Sequence, residues 1–281
     1  MNSDFDRRQN ILKQRYGAQA APENLMWNDH VEHLLNHRSV RAFLDEPLPD
    51  GALETMVAAA QSASTSSALQ QWSIVAVSGE QKQRVHDLIA PTVPAGRIPW
   101  INEAPVVLLW VADLSRSNAI AKAQGTEPVV HDYLDAFLMA SIDAALAAQN
   151  AAVAAEAVGL GFVFLGVMRN AAKELAALID LPKYSFVTFG MAVGRPDPKR
   201  PSGPRPRIPQ SVVLHHDHYV HRNHETHLPG YEEAYLAFRD MWGMDAKTWQ
   251  DAVHTSATSM KYMKGREKLR ATLAERGFRL L

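Results

Sequence analysis

Asn36-His37-Arg38-Ser39-Val40-Arg41-Ala42-Phe43 is the stretch from which the rest of the chain is best read. Between His37 and Arg41 it carries three cationic or cationisable side chains and a hydroxyl in five residues. An amphipathic run, Trp27 to Leu35, precedes it and Asp45-Glu46-Pro47 follows, which places it at the exit of a helix. Arg38 and Arg41 are three residues apart and can point at one anion, with Ser39 and backbone N–H groups filling the gaps. That donor set suits a phosphate or a ring with several acceptors. The plain alternative is a solvated basic helix end paired with the carbonyl dipole.

The composition sets bounds. The chain has 281 residues, 47% apolar and 21% charged, with a formal net charge of −1, an ordinary globular balance. Near-zero charge argues against a nucleic-acid partner without excluding a local anion site. With no cysteine, disulfides, thiolate catalysis and iron–sulfur clusters are excluded. Met1-Asn2-Ser3-Asp4-Phe5-Asp6-Arg7-Arg8 lacks the apolar core of a signal peptide. The uncharged stretch Ala144 to Ala155 is too short to span a bilayer. A cytoplasmic protein that contacts neither nucleic acid nor membrane is expected.

Along the chain, residues 1–22 are polar, with Ala-Ala-Pro at 20–22, and predict an N-terminal arm ahead of a single domain over 23–281. Helices are predicted at 24–36, 50–62, 81–89 and 171–179, and strands at 73–77, 106–111, 162–165 and 186–193. A long alanine-rich helix is predicted from Val129 to Val158, closed by Gly159. Its small faces favour close approach of another backbone or a second copy of itself. Residues 195–209 hold six prolines and five basic residues, a stiff extended segment. Ser211-Val212-Val213-Leu214 reads as a strand, and helices follow at 230–242, 246–260 and 264–276, forming a helical excursion over about 228–281. Strands alternating with helices give an α/β or α+β sandwich around a central sheet.

Several motifs have to be weighed. Gly159-x-Gly161-x-x-x-x-Gly166 fails as a dinucleotide fingerprint, because it follows a helix and precedes a strand, the reverse of the phosphate-binding order. Ser64-Thr65-Ser66-Ser67 is by itself a polar turn. Arg205-Pro206-Arg207 is by itself a basic linker, stiffened by its proline. Six imidazoles fall between His215 and His227, a composition able to bind Zn²⁺ or Ni²⁺, but without a metalloprotease spacing; no physiological metal is predicted.

Taken in order, Arg38-Ser39-Val40-Arg41-x-Phe43, Ser64 to Gln70, Ala148-Gln149-Asn150, Glu156 to Gly161, Gly166 to Asn170 and Arg205 to Pro209 resemble the FMN-dependent nitroreductase family. Within it they are similar to the oxygen-insensitive NADPH nitroreductases and flavin reductases. The resemblance covers about residues 30–281 and is patchier past 215. It implies an α+β fold: a central mixed or antiparallel sheet flanked by helices, a long central helix and an intertwined homodimer. It also implies FMN as cofactor, NADH or NADPH as electron donor, a small electron-poor acceptor and ping-pong hydride transfer. No catalytic side chain is nominated, because the cofactor does the chemistry.

For the site, the resemblance implies that His37, Arg38, Ser39 and Arg41 open the cofactor-binding set. Arg38 with Arg205 and Arg207 would clamp the phosphate, and Arg41 would lie on the isoalloxazine side. Ser64, Thr65, Ser66, Ser67 and Gln70 would reach the FMN of the other subunit. The segment Leu165, Gly166 and Val167 would bring a backbone N–H to flavin N5, and Arg97 would sit near the pyrimidine ring. Phe43, Met168, Arg169 and Trp242 would face the substrate. Trp242 stands where relatives carry an arginine that grips the NADPH 2′-phosphate, flanked here by Asp240 and Asp245. Two rivals remain open: a same-fold flavoenzyme with another reduction, such as reductive dehalogenation, and a His-rich metal-binding protein.

Overall fold

The computed structural model describes all residues except 1, 2, 18–20, 23 and 222. Ala20 of the expected break and residue 23, where the domain was expected to begin, lie outside the described residues. In chain order the elements are α1 (Ser3–Tyr16), α2 (Asp29–Leu35), α3 (Ala52–Gln61), β1 (Trp72–Ser78), α4 (Gly79–Ile89) and α5 (Trp100–Glu103). Then come β2 (Val106–Asp113), α6 (Ser115–Ala123), α7 (Leu134–Ala157), β3 (Gly161–Leu165), α8 (Ala172–Leu178) and β4 (Ser185–Gly194). The chain ends with α9 (Gln210–Val213), α10 (Asn223–Met241), α11 (Trp249–Thr258) and α12 (Leu269–Glu275). These elements form two compact units, one of residues 1–39 and 202–262, the other of 40–201 and 263–281.

The larger unit is built on an antiparallel sheet in the order β1-β2-β4-β3. Successive β2 residues face opposite sides. Val107, Leu109 and Val111 join a core with Val85 and Ile89 of α4 and Leu175 of α8. Leu108 and Trp110 join Met56 of α3 and the α7 alanines 147, 148, 151, 152 and 155. Covered on both faces, β2 has no reason to alternate apolar with polar residues, which is why it reads as one apolar run.

Helix α7 is 24 residues long, about 36 Å at 1.5 Å per residue. Its predicted first turn separates as a short 3-10 turn, Val129–Asp132, because Tyr133 is extended. At the other end Gly159, at φ +78°, closes the helix, and Leu160 N–H returns to Ala155 O at 2.9 Å. The buried alanines take α3 and the sheet, not another copy of α7. By length and apolarity α7 is capable of crossing a membrane; its fully buried alanines make it the spine of this unit. A different stripe stays uncovered: Leu134, Leu138, Ile142 and Leu146, four apart, are 44–56% exposed.

Among the described residues of the smaller unit the regular elements are helices. The segment expected as an arm forms α1, which buries Ile11, Leu12 and Arg15. Ser211–Leu214, expected as a strand, is instead the turn α9. Pro209 O accepts from Val212 N–H at 3.0 Å and Gln210 O from Leu214 N–H at 2.8 Å, which closes the turn where no described strand of this unit offers an edge. Leu228, Tyr231 and Tyr235 of α10 form its small core with Ile208 and Trp249.

Candidate functional site

In the smaller unit, α2 delivers the basic stretch. Asn28 caps its start, the side chain accepting from Val31 N–H at 2.9 Å. Asn36 ends it, its side chain donating back to Glu32 O at 3.0 Å. The chain then leaves through His37, Arg38 and Ser39, with Arg38 exposed and the other two half-buried. Arg15, only 4% exposed, reaches this exit from α1. Its Nε and Nη2 donate to Leu35 O at 3.0 and 2.6 Å, and Nη2 also to His37 O at 2.5 Å. Its Nη1 donates to Arg205 O at 2.8 Å. Arg207 N–H in turn donates to Arg15 O at 2.7 Å. Two segments far apart in sequence, each carrying candidate phosphate-binding arginines, are therefore fastened to one residue.

Arg207 is exposed, whereas the Arg205 guanidinium lies 5.6 Å from the Phe238 ring centroid in a cation–π contact. Beside them Tyr231 is 4% exposed, and burial pushes its phenol up to about 12, Arg207 and Arg205 pulling the other way. Trp242 is half-buried, its ring tilted at 48° to that of Phe238 with centroids 6.3 Å apart. A Cβ at Gly203 would come 2.7 Å from the Trp242 ring, so glycine lets the tryptophan come close to this backbone. Trp242 and Phe238, with Lys13, Pro204 and Pro206, line a cavity of about 670 Å³.

In the larger unit, residues 40–44 run alongside β3 and the chain after β4. Val40 N–H donates to Phe162 O at 2.8 Å and Leu44 N–H to Arg195 O at 2.9 Å. A Cβ at Gly161 would meet Val40 at 2.5 Å. The failed fingerprint thus has its own explanation, Gly159 ending α7 and Gly161 admitting this strip. Phe43 N–H donates to Glu103 at 3.3 Å, and Arg200 forks onto Glu103 at 3.0 and 2.9 Å. The Arg200 hydrogen bonds hold the Glu103 carboxyl below the usual range. On this strip Arg41 is half-buried over the Trp100 ring at 5.8 Å. Phe43 is not at the surface: it is 4% exposed, against Gly194.

Ser64 to Gln70 form a tight turn in which Ser67, Ala68 and Gln70 all have positive φ, 49°, 55° and 51°. Three such residues without glycine hold strain that only fixed surroundings sustain. Asp143 of α7, 1% exposed, supplies them, accepting from Ser66 N–H at 2.9 Å and Gln71 N–H at 3.2 Å. Arg116 closes the far side, donating to Gln70 O at 2.6 Å and to Asp113 at 3.0 Å. Burial pushes the Asp113 carboxyl up, but hydrogen bonds from Ser115 and Ser73 and the Arg116 charge outweigh it and leave it below the usual range. Ser64, Ser67 and Gln70 are exposed, Thr65 and Ser66 half-buried.

At the end of β3, Leu165 is buried while Gly166 and Val167 are half-buried. A Cβ at Gly166 would stand 3.3 Å from Arg169 Nη2, and Arg169 donates to Thr188 O at 2.5 Å, so this guanidinium braces the loop from beneath. Met168 is fully buried under Gly190. Arg97 is exposed on the loop before α5. Two anchors, Arg15 and Asp143, do not stand out in the motifs. Asp143 leaves a legible trace, a lone acid in the middle of an apolar helix; Arg15 leaves none. Among the described residues no group of three or more His, Asp or Glu is arranged to hold a metal ion. In the histidine-rich segment the rings of His215 and Tyr219 lie 4.4 Å apart, tilted at 37°, and Tyr219 meets His221 edge-on at 5.3 Å.

Comparison with known proteins agrees with this architecture. The family model described as "Nitroreductase family" matches residues 34–195, and that of its C-terminal domain matches 205–281. The Bacillus subtilis protein named FMN reductase [NAD(P)H] is 31% identical over 258 residues, spanning 90% of this chain and 99% of its own. The structure of Bacillus megaterium NfrA2 superposes with a TM-score of 0.81 at 31% identity, covering 91% of this chain and all of that one. That of the Vibrio harveyi NADPH:FMN oxidoreductase complexed with NAD⁺ does so at 0.76 and 29%, covering 90% and 99%. With its antiparallel sheet, its long central helix and its ordered motifs matched along the family's length, the chain belongs to the nitroreductase family.

Proposed function

We propose that the chain is an FMN-dependent NAD(P)H oxidoreductase that reduces electron-poor acceptors, nitroaromatics, quinones or flavins, in a ping-pong cycle as a homodimer. The observation that carries this reading is the full-length match to a relative named FMN reductase [NAD(P)H]. The donor set fits the cofactor. Arg38 and Arg207 present exposed guanidinium groups on backbone that Arg15 fixes, and a fork of N–H donors suits a phosphate dianion. Arg205 adds charge beside them. In the larger unit Arg41, the Ser64–Gln70 turn and the Leu165–Val167 loop offer hydroxyls, an amide and backbone N–H groups, which suit ribityl and isoalloxazine edges. Arg97 extends the donor set toward the pyrimidine ring.

FMN, when bound, supplies the redox chemistry, taking hydride from the nicotinamide and passing electrons to the acceptor. The chain's residues bind and orient it, and their positive charge favours the more anionic reduced form. Arg169 holds the shape of the loop nearest the reacting edge, and Trp242 offers a flat face to a planar acceptor or to adenine. The chain alone gives Phe43 and Met168 no surface for such a contact. The uncovered stripe Leu134, Leu138, Ile142 and Leu146 supports a second copy as the covering partner. Initial rates at several fixed acceptor concentrations test the cycle: parallel double-reciprocal lines are expected, and intersecting lines would overturn the ping-pong order.

A further inference from the structure

Helix α1 lies ahead of the matched family region, which begins at residue 34, yet it is tied to two arginine-bearing segments inside that region. The ties are concentrated on one residue. The last carbonyls of a helix have no partner within the helix, and at the exit of α2 Leu35 O and His37 O are taken by Arg15. The third carbonyl it takes belongs to Arg205. Pro206 has no N–H, so the inner backbone groups of Arg205-Pro206-Arg207 are Arg205 O and Arg207 N–H. Arg15 takes the first with its side chain and the second with its own carbonyl. Gly17, at φ +79°, ends α1 so closely against α10 that a Cβ there would lie 2.8 Å from the Ala234 Cβ. This close approach fixes the end of the helix that carries Arg15.

From this geometry we infer that Arg15 is a positioning residue for the phosphate end of the cofactor site, holding the backbones of Arg38 and Arg207 in fixed register. The inference rests on the FMN reading above. Arg15 does not itself contact phosphate: it is 4% exposed and its donors face carbonyls. Its effect is preorganisation. Arg38 and Arg207 carry like charge, and neither lies in a helix or strand that would keep it in place. Fixing both before the anion arrives removes an ordering cost from binding. The planar fork matters as much as the charge, because a single ammonium cannot reach the three carbonyls in these directions.

The test measures the affinity of the full-length apoprotein for FMN and for riboflavin, which lacks the phosphate, by quenching of flavin fluorescence. Arg15→Met, Arg15→Lys, Arg38→Ala and Arg207→Ala are compared with the parent. Arg15→Met is expected to weaken FMN about tenfold or more and riboflavin less than about twofold. Arg15→Lys is expected to remain impaired for FMN, and the effect of Arg15→Met should shrink in an Arg207→Ala background. A merely structural role would weaken both flavins alike, and that result in either Arg15 variant overturns the inference. Should Arg15→Met fail to fold, Arg15→Lys decides. If Arg38→Ala and Arg207→Ala lower the FMN-to-riboflavin preference while the Arg15 variants do not, the positioning role alone fails. If none of the four changes that preference, the phosphate-clamp reading fails and takes the inference with it.

Discussion

Replacing Asp143 by alanine removes the acceptor that fixes both ends of the Ser66–Gln71 turn. Its carboxylate is 1% exposed and takes two backbone N–H groups, at 2.9 and 3.2 Å. A hydrogen bond to a charged group contributes about 1.5–3 kcal/mol, so the pair amounts to about 3–6 kcal/mol. Alanine also relieves the desolvation of a buried carboxylate, and the freed turn relaxes the positive φ of Ser67, Ala68 and Gln70. Both effects bring the expected loss to the lower end, about 3 kcal/mol. Asp143→Asn keeps one acceptor oxygen and should lose about half of that. Urea denaturation reads this difference, at fixed protein and FMN concentrations, because any bound cofactor or second copy shifts the midpoint by mass action. A loss under about 0.5 kcal/mol for Asp143→Ala would mean that the buried carboxylate does not hold the turn.

Other expectations follow from the same geometry. Arg38→Ala or Arg207→Ala should weaken FMN by about 1.5–3 kcal/mol more than riboflavin; equal losses by equilibrium titration would place these arginines at the wrong end of the cofactor. The resemblance implies that Trp242, with Asp240 and Asp245 near it, takes the position of a 2′-phosphate clamp, so NADH should be used comparably to NADPH. A hundredfold NADPH preference in kcat/KM, about 2.7 kcal/mol, would reveal a clamp elsewhere. FMN at a hundredfold excess over its dissociation constant should stabilise the dimer by about 2.7 kcal/mol; an FMN-saturated monomer in sedimentation at micromolar concentration would contradict a shared site. Asp113 is held below its unfolded pKa, so the native state binds fewer protons and gains stability above about pH 4, a gain lost as pH falls through the lowered value. The destabilisation by Asp113→Asn should therefore shrink in acid; one that stays constant from neutral pH into strong acid would mean its ionisation is not linked to folding.

Much of the fold was legible because burial leaves a local mark. Val106–Asp113 reads as a strand since both faces are covered, and Gly159 marks the end of α7 since only a residue at ease with positive φ closes the helix there. Ser211–Leu214 misleads for the opposite reason. Its β-branched composition favours a strand only if another strand pairs with it, and pairing is not written in four residues. Helix α6 escapes the hydrophobic pattern altogether, having no fully buried residue. At the site, the arginines and the serine-rich turn stand out as motifs, whereas what fixes them acts through backbone carbonyls and N–H groups. Four hydrogen bonds of the Arg15 side chain go to main-chain carbonyls, which any residue type supplies, so no pairing of residue types marks them and the segment around it reads as a polar arm.

The central claim, that this chain carries FMN between a nicotinamide donor and an electron-poor acceptor, is tested most directly by the flavin absorbance of the FMN-reconstituted protein under anaerobic conditions. The account predicts a yellow protein holding stoichiometric FMN, whose visible band bleaches on addition of NADH or NADPH and returns when a quinone is added. A colourless protein that takes up no FMN, or one that binds FMN but is bleached by neither nicotinamide, would contradict it.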